Sequence, residues 1–495
     1  MPPDDAARAL DELLRAHPAL PAFQGAAAPV IAGLTADSRA VGPGFLFAAL
    51  PGAKSDGRAF IGQAVARGAA AVLAPEGTAW PQGVPAVPLL TASDPRRALA
   101  LLAAAFHAAQ PATLVAVTGT NGKTSTVDFL RQLWTLDGLR AGSLGTLGLV
   151  APGFPEGPSL TTPDPVALHA MLAALARGGV THAALEASSH GLEQRRLDGV
   201  RLSAAGFSNL TRDHLDYHGG MAAYRAAKLR LFDTLLPHGA AAVANAEMEA
   251  ESLDALRAIA AARGLELLTV GEAGEALRLL RQMPRPDGQD LEVELFGARH
   301  ALHLALPGRF QADNALMAAA LAVACGLDAA RAAALLPRLA GVRGRMELAA
   351  RLTNGAAVYV DYAHTPDALE RLLSALRPHV APGARLHVLF GAGGDRDPGK
   401  RPLMGAASAR HADICWVTDD NPRSEDPATI RAAVLAGCPG GVDAGDRAGA
   451  IARALGALRP GDVLAVAGKG HESGQTIGAV THPFDDVSVV RGLAA

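Results

Sequence analysis

The segment TGTNGKTS, Thr118 to Ser125, is where residue type and spacing first imply chemistry. An apolar run, Thr113 to Val117, precedes it, and a helical pattern begins at Lys123, so the glycines fall in a strand–loop–helix turn. Gly119 and Gly122 let backbone N–H groups approach a phosphate chain. Lys123 reaches the β- and γ-oxygens, and the Thr124 hydroxyl can ligate Mg²⁺. Val117 stands where the standard phosphate-loop pattern has its first glycine. By itself the loop says nucleoside triphosphate and not which reaction.

A second cluster follows. THAALEASSHGLEQRR reads as a strand ending at Glu186, and a carboxylate there suits Mg²⁺, which takes one or two carboxylates with phosphate oxygens. In NLTRDHLDYH, His214 and His218 are four apart, a spacing that could hold zinc on a helix. The glycines at 219–220 and the lack of an HExxH arrangement favour instead a polar turn feeding one ligand to Mg²⁺. Lys228 lies in the helical run beyond.

A third group sits in AVYVDYAHTPDAL, LHVLFGAGGDRDPGKR, ICWVTDDNPRSEDP and VLAVAGKGHESGQ. Each is an apolar strand ending in polar or glycine-rich residues. In open α/β sheets, ligands bind beyond the carboxyl ends of the strands. Asp361, His364, Arg396, Arg423, Lys469 and Glu472 are therefore expected to converge on one site. Arginine holds a carboxylate with two parallel hydrogen bonds, and Glu472 can accept from an ammonium. The implied ligand is an amino acid. A triphosphate in one domain and an amino acid in another suggest ATP-driven amide formation.

Of 45 basic residues only 5 are Lys: Lys54, Lys123, Lys228, Lys400 and Lys469. In a composition that favours Arg, a retained Lys marks a place where a compact or modifiable ammonium is needed.

The elements that must position these groups alternate, strand then helix, through most of the chain, which predicts α/β domains with mostly parallel sheets. At 495 residues the chain is too long for one core. The expected division is 1–93, 94–341 and 342–495. Ser93 or Asp94 can cap a helix with Pro95 in its first turn. Hydrophobic residues are 49% and charged residues 19%, so the chain is globular. A net charge of -3 and 4% aromatic residues argue against nucleic-acid binding. No apolar run is long enough for a bilayer, and the acidic N-terminus lacks a signal pattern. Cys325, Cys415 and Cys438 form no CxxC pair and read as buried thiols of a reducing, cytoplasmic compartment.

Taken together, TGTNGKTS, EASSHGLEQRR, NLTRDHLDYH, AAK, PGRFQADN, GVRGRME, DYAHTPDAL and AGKGHE resemble the Mur ligases of peptidoglycan synthesis. The resemblance runs from the DSR at 37–39 to the GHE at 470–472. It implies three domains: one binding a UDP-sugar, a central P-loop-type ATPase with a parallel-rich sheet, and a Rossmann-like C-terminal domain binding an amino acid. DNPRSEDP points to the branch of the family that adds meso-2,6-diaminopimelate to UDP-MurNAc-L-Ala-D-Glu through an acyl phosphate.

The resemblance also implies residue roles. Gly119, Thr120, Asn121, Gly122, Lys123, Thr124 and Ser125 would cradle ATP. Glu186 and His214 would bind Mg²⁺, and Lys228 would become N6-carboxylysine and hold a second Mg²⁺. Asn314 and Asp361 would contact the nucleotide, with Arg345 near the transferring phosphate. Ser38, Thr161, Thr162, Ser188, Gln194 and Arg196 would bind the UDP-MurNAc-dipeptide. Arg396, Asp420, Asn421, Pro422, Arg423, Gly468 and Glu472 would bind diaminopimelate. The implied protein acts as a monomer on small molecules in cell-wall biogenesis, with no nucleic-acid partner and no membrane insertion.

One stretch departs from the family. Many relatives carry a His in a GHxxDGR-like segment, whereas this chain has PGAKSDGR, with Ala53, Lys54 and Ser55. Uridine contacts there are open, and Lys54 is a candidate to reach a diphosphate oxygen. Three other readings compete: an L-Lys-adding ligase, which DNPR argues against; a folylpolyglutamate synthase-like ligase; and a nucleotide switch without ligase chemistry.

Overall fold

A computed structural model describes residues 7–21, 27–52, 55–155, 160–211, 213 and 215–494. The chain forms two compact units. One comprises Met1–Val127, Trp134–Ala244 and Met248–Leu268; the other comprises Asp128–Leu133, Asn245–Glu247 and Thr269–Ala495.

The first unit holds two parallel-rich sheets. In the smaller, Gly33–Thr35, Phe45–Ala48, Ala71–Pro75 and Leu89–Ala92 lie side by side in chain order, all parallel. In the larger, Ala241–Asn245, Ala204–Phe207, Thr113–Thr118, His182–Glu186 and Ala141–Gly145 run parallel in that spatial order, and Gly148–Val150 adds antiparallel. Strands covered on both faces read as continuous apolar runs. Ala204–Phe207 and Ala141–Gly145 are accordingly buried at every position. The chain reversal at Thr113–Thr118 puts the glycine loop and the end of His182–Glu186 at neighbouring carboxyl ends, with Glu186 registered against Val117.

The second unit contains an antiparallel ribbon, Leu277–Arg285, Gly288–Leu295 and Ala298–Leu304. It also contains a six-stranded sheet in the spatial order Glu347–Arg351, Ala357–Asp361, Val463–Ala467, Leu386–Phe390, Ile414–Thr418 and Val442–Gly445. All pairs are parallel except the first. The last strand in sequence, Val463–Ala467, is inserted at the centre, so the connections leave in opposite directions from it. That switch point opens a crevice at the carboxyl ends.

Four helix starts share one device. Asp94–Pro95, Asp164–Pro165, Thr365–Pro366 and Asp426–Pro427 each place an oxygen-bearing cap before a proline in the first turn. The cap side chain accepts from backbone N–H groups in all four. The helix Pro366–Leu376 then buries Leu369, Leu372, Leu373 and Leu376, the i, i+3, i+4, i+7 stripe of a helix laid on a sheet. Among the described residues no helix is long and apolar enough to cross a membrane. Cys415 and Cys438 are buried, and Cys325 is partly so; none is in a disulfide.

Candidate functional site

In the first unit, the strand Thr113–Thr118 ends in a loop and the helix Lys123–Leu136 begins at the lysine. Gly119 has φ 144°, and a Cβ there would stand 1.9 Å from Ser208 Oγ. Only glycine permits that approach. Ser208 Oγ donates to Asn121 O at 2.6 Å. Asn121 N donates to Asn209 Oδ1 at 3.0 Å, and Thr120 N to Asn209 O at 2.9 Å. Ser208 and Asn209 thus clamp the loop from the end of the neighbouring strand. Lys123 Nζ donates to the loop carbonyls of Gly119 and Thr120 at 2.9 and 3.0 Å, which folds the ammonium back over the loop.

Glu186, at the end of its strand, is 3% exposed. Its Oε1 accepts from Thr124 Oγ1 at 2.9 Å and from Thr146 N at 2.8 Å. A buried carboxylate and a hydroxyl, both hard oxygen donors, therefore sit together beside the loop. Lys228 is 1% exposed; its Nζ donates to Gly119 O at 2.7 Å and lies 4.5 Å above the Tyr224 ring. Burial, then the charge of Lys123, pushes the Lys228 ammonium down to about 6, against a small opposing pull from Asp213. Ser125 is buried in the first turn of the helix. His214 lies outside the described residues.

Thr161, Thr162, Ser188, Gln194 and Arg196 form one polar chain in the same unit. Thr161 Oγ1 is 3.1 Å from Thr146 Oγ1. Thr162 Oγ1 donates to Glu186 O at 2.8 Å and accepts from Ser188 N and Ser188 Oγ, each at 3.0 Å. Arg196 reaches Thr162 O at 2.6 Å and Gln194 Oε1 at 2.8 Å, and Gln194 Nε2 donates to Tyr217 OH at 3.0 Å. Ser38 belongs to the smaller sheet's loops, where its Oγ donates to Gln63 Oε1 at 2.9 Å. Ala53 and Lys54 lie outside the described residues; Ser55 is exposed.

In the second unit, a cavity of about 270 Å³ opens at the switch point. Tyr362 and His364 line it from one strand end, Gly391 to Gly393 and Arg396 from the next, Asp420, Asn421 and Arg423 from the third, and Gly468 and Glu472 from the fourth. Lys400 completes the lining and donates to His364 O at 3.1 Å. Three cations and two carboxylates thus face one small space.

Arg423 has φ 52°, a left-handed backbone that costs a bulky residue about 1–3 kcal/mol. The hairpin Gly474–Ile477 and Val480–Pro483 holds it there. Arg423 N donates to Thr476 O at 3.1 Å, and Gly478 N to Arg423 O at 2.7 Å. Its Nη1 donates to Gly394 O at 2.7 Å. Pro422 packs so close that a Cβ on Gly394 would meet its carbonyl at 1.9 Å. Asp420 is buried; burial pushes its carboxyl up, while Arg447 and then Lys469 pull it back.

Two residues expected among the converging strand ends do not line this cavity. Asp361 accepts from Met346 N and Ala363 N, each at 2.8 Å, so its carboxylate ties down the chain at its own strand end. Lys469 is fully buried behind the lining. Arg345 lies over the Tyr362 ring at 5.4 Å. Asn314 is buried in the helix Arg309–Ala324, 3.3 Å from Gln311 Oε1. Ser208, Asn209, Tyr224 and Tyr362 have no place among the residues expected from the sequence, and Lys400 is expected there only as one of five lysines; for the tyrosines the available signal is rarity, 4 in the chain.

Three family models match the chain: the Mur ligase family catalytic domain at residues 30–107, the Mur ligase middle domain at 117–322, and the Mur ligase glutamate ligase domain at 344–470. A UDP-N-acetylmuramoyl-L-alanyl-D-glutamate–2,6-diaminopimelate ligase from Caulobacter vibrioides is 58% identical over 93% of this chain and 94% of its own length. The protein of the same name from Rhizobium meliloti is 52% identical over 95% of each. A solved structure of a ligase of that name superposes with a TM-score of 0.75 at 33% identity, covering 98% of both chains. A Mycobacterium tuberculosis folylpolyglutamate synthase shares the fold alone, with a TM-score of 0.57 at 21% identity over 75% of this chain and 92% of that one.

Proposed function

This chain belongs to the Mur ligase family, and on that footing we propose that it is the ATP-dependent ligase that joins meso-2,6-diaminopimelate to the D-Glu γ-carboxylate of UDP-MurNAc-L-Ala-D-Glu, a step of peptidoglycan precursor synthesis. The observation that carries the choice of amino acid is the cavity at the second unit's switch point. Arg396, Lys400 and Arg423 line it together with Asp420 and Glu472, a lining suited to a ligand with two carboxylates and an ammonium.

The reaction proceeds in two steps. An oxygen of the γ-carboxylate attacks the γ-phosphorus of ATP, the bond to the β–γ bridging oxygen breaks, and ADP leaves. The neutral amine of diaminopimelate then attacks the acyl carbon of the resulting acyl phosphate. The tetrahedral intermediate expels phosphate, and the nitrogen gives up its proton. In such transfers positioning and charge neutralisation do most of the work. Lys123 supplies a cation to the phosphate oxygens, and the Gly119–Gly122 backbone supplies N–H donors. Thr161, Thr162, Ser188, Gln194 and Arg196 orient the dipeptide, and Ser38 contacts the UDP-sugar.

The residues beside the loop fit Mg²⁺. Thr124 Oγ1 and Glu186 Oε1 are hard oxygens 2.9 Å apart, and the carboxylate is shielded from water. Bound there, Mg²⁺ neutralises charge on the transferring phosphoryl group. Lys228, whose burial favours the neutral amine, is the candidate for carboxylation by CO₂ to a carbamate, with loss of one proton.

The test is product formation. With ATP, Mg²⁺ and UDP-MurNAc-L-Ala-D-Glu, mass spectrometry should find one diaminopimelate added to the nucleotide substrate per ADP formed. ATP hydrolysis without that product would reject the reading.

A further inference from the structure

Lys469 is 0% exposed, yet its ammonium meets three side chains that line the amino-acid cavity. Nζ lies 3.1 Å from Asn421 Oδ1, 3.4 Å from Glu472 Oε2 and 3.7 Å from Asp420 Oδ1. Asp420 and Asn421 follow one strand, Ile414–Thr418, and Glu472 follows another, Val463–Ala467. The strand Leu386–Phe390 separates the two in the sheet. One buried cation thus ties together Asp420, Asn421 and Glu472 of the cavity lining across the strand that lies between them. Asn421 Nδ2 closes the triangle by donating to Glu472 Oε2 at 3.1 Å.

We propose that Lys469 is a positioning residue for the amino-acid substrate, holding Asp420, Asn421 and Glu472 in the arrangement that receives the substrate's ammonium. This rests on the ligase reading above. Two further observations support it. Asp420 Oδ1 is buried and has no hydrogen-bond partner, so it depends on nearby charge. Those charges come from several elements: Arg447, itself bonded to Asp486, from the helix Arg447–Gly456; Glu472 and Lys469 from the central strand's loop; Asp486 from the C-terminal helix; and Lys400 and Tyr362 from the cavity lining. Lys469 is the cation that also binds Asn421 and Glu472. Moreover, a chain that uses Arg for nearly every other cation keeps a Lys here, where a compact ammonium serves three acceptors.

The test compares Lys469→Met and Lys469→Arg with the unaltered enzyme. Lys469→Met should raise KM for diaminopimelate by roughly thirtyfold or more, the size expected when one partner of a buried charge pair is removed. KM for ATP and for the UDP-sugar peptide should stay within about twofold. The acid limb of kcat/KM for diaminopimelate should move to higher pH, because Asp420 loses a nearby cation. Lys469→Arg should return that limb while leaving KM raised. An unchanged KM for diaminopimelate, a parallel rise in all three KM values, or an unmoved acid limb would overturn the role. If Lys469→Met does not fold, ¹⁵N-lysine NMR on the unaltered chain decides, since there are five lysines. The slowly exchanging Lys469 ammonium should shift on adding diaminopimelate and not on adding ATP; no shift overturns the proposal. An unaltered enzyme without diaminopimelate-dependent turnover would remove the ligase reading itself. Normal turnover with indifferent variants would remove only Lys469.

Discussion

The Lys228 ammonium donates to the carbonyl of Gly119 at 2.7 Å, so a buried lysine touches the loop that would carry the phosphates. Its proton is held weakly, at about 6, chiefly because burial disfavours the charge. Near neutral pH the amine is therefore mostly free to attack CO₂. Enzyme supplied with ¹³CO₂ should show a carbamate carbon by NMR, and Lys228→Arg should show none and lose activity by at least about a hundredfold. Full activity in Lys228→Arg would exclude the carbamate role.

Gly119 is a steric test of the loop. Ala there must adopt φ 144° and push against Ser208 Oγ, which itself holds Asn121 O. Gly119→Ala should cost about 1–3 kcal/mol of stability and weaken ATP binding tenfold or more. Gly138, at φ 89° with nothing within 4 Å of a Cβ, is the control. Gly138→Ala should leave ATP binding unchanged. Equal behaviour of the two variants in thermal unfolding and nucleotide titration would contradict the close approach.

His169 makes stability depend on pH. It is 1% exposed, its Nε2 is 2.9 Å from Asp198 O, and burial pushes its imidazole down to about 4. The unfolded chain takes up that proton near 6.5 and the folded chain only near 4. Stability is therefore intact above about pH 6.5 and falls as the pH drops toward 4. Between pH 7 and pH 5, urea unfolding of the wild type should lose about 2 kcal/mol more than that of His169→Gln. The same pH slope in both would show that His169 is not the group responsible.

Arg423 should decide the choice of amino acid. Arg423→Ala should raise KM for diaminopimelate by about thirtyfold or more, from the loss of about 2–5 kcal/mol when one partner of a buried charge pair is removed. Arg423→Lys should not restore it, because an ammonium lacks the planar fork. KM for ATP should hold in both. Unchanged diaminopimelate kinetics in Arg423→Ala would defeat the assignment.

Much of this was legible in the sequence because parallel α/β sheets write their active ends into it. Each of the four apolar runs ending at 361, 390, 418 and 467 is a strand, and their trailing loops meet in one cavity. The scarcity of Lys was equally readable. All four described lysines lie at the glycine loop or at the cavity. Depth was not readable. Nothing local separates Lys400, which lines the cavity, from Lys469, buried behind it, nor reveals that the Asp361 carboxylate is taken by Met346 and Ala363 N–H groups. Ser208 and Tyr224 were missed for a related reason. Their partners, Asn121 and Thr120, lie some 90 to 100 positions away in sequence, and only the sheet order brings them together.

The most direct measurement is phosphate release from ATP and Mg²⁺ with UDP-MurNAc-L-Ala-D-Glu, run with meso-diaminopimelate, with L-Lys and with neither. The predicted result is release with diaminopimelate alone. Release of equal rate with L-Lys would contradict the assignment of the Arg396–Arg423 cavity, and release independent of any amino acid would contradict ligation itself.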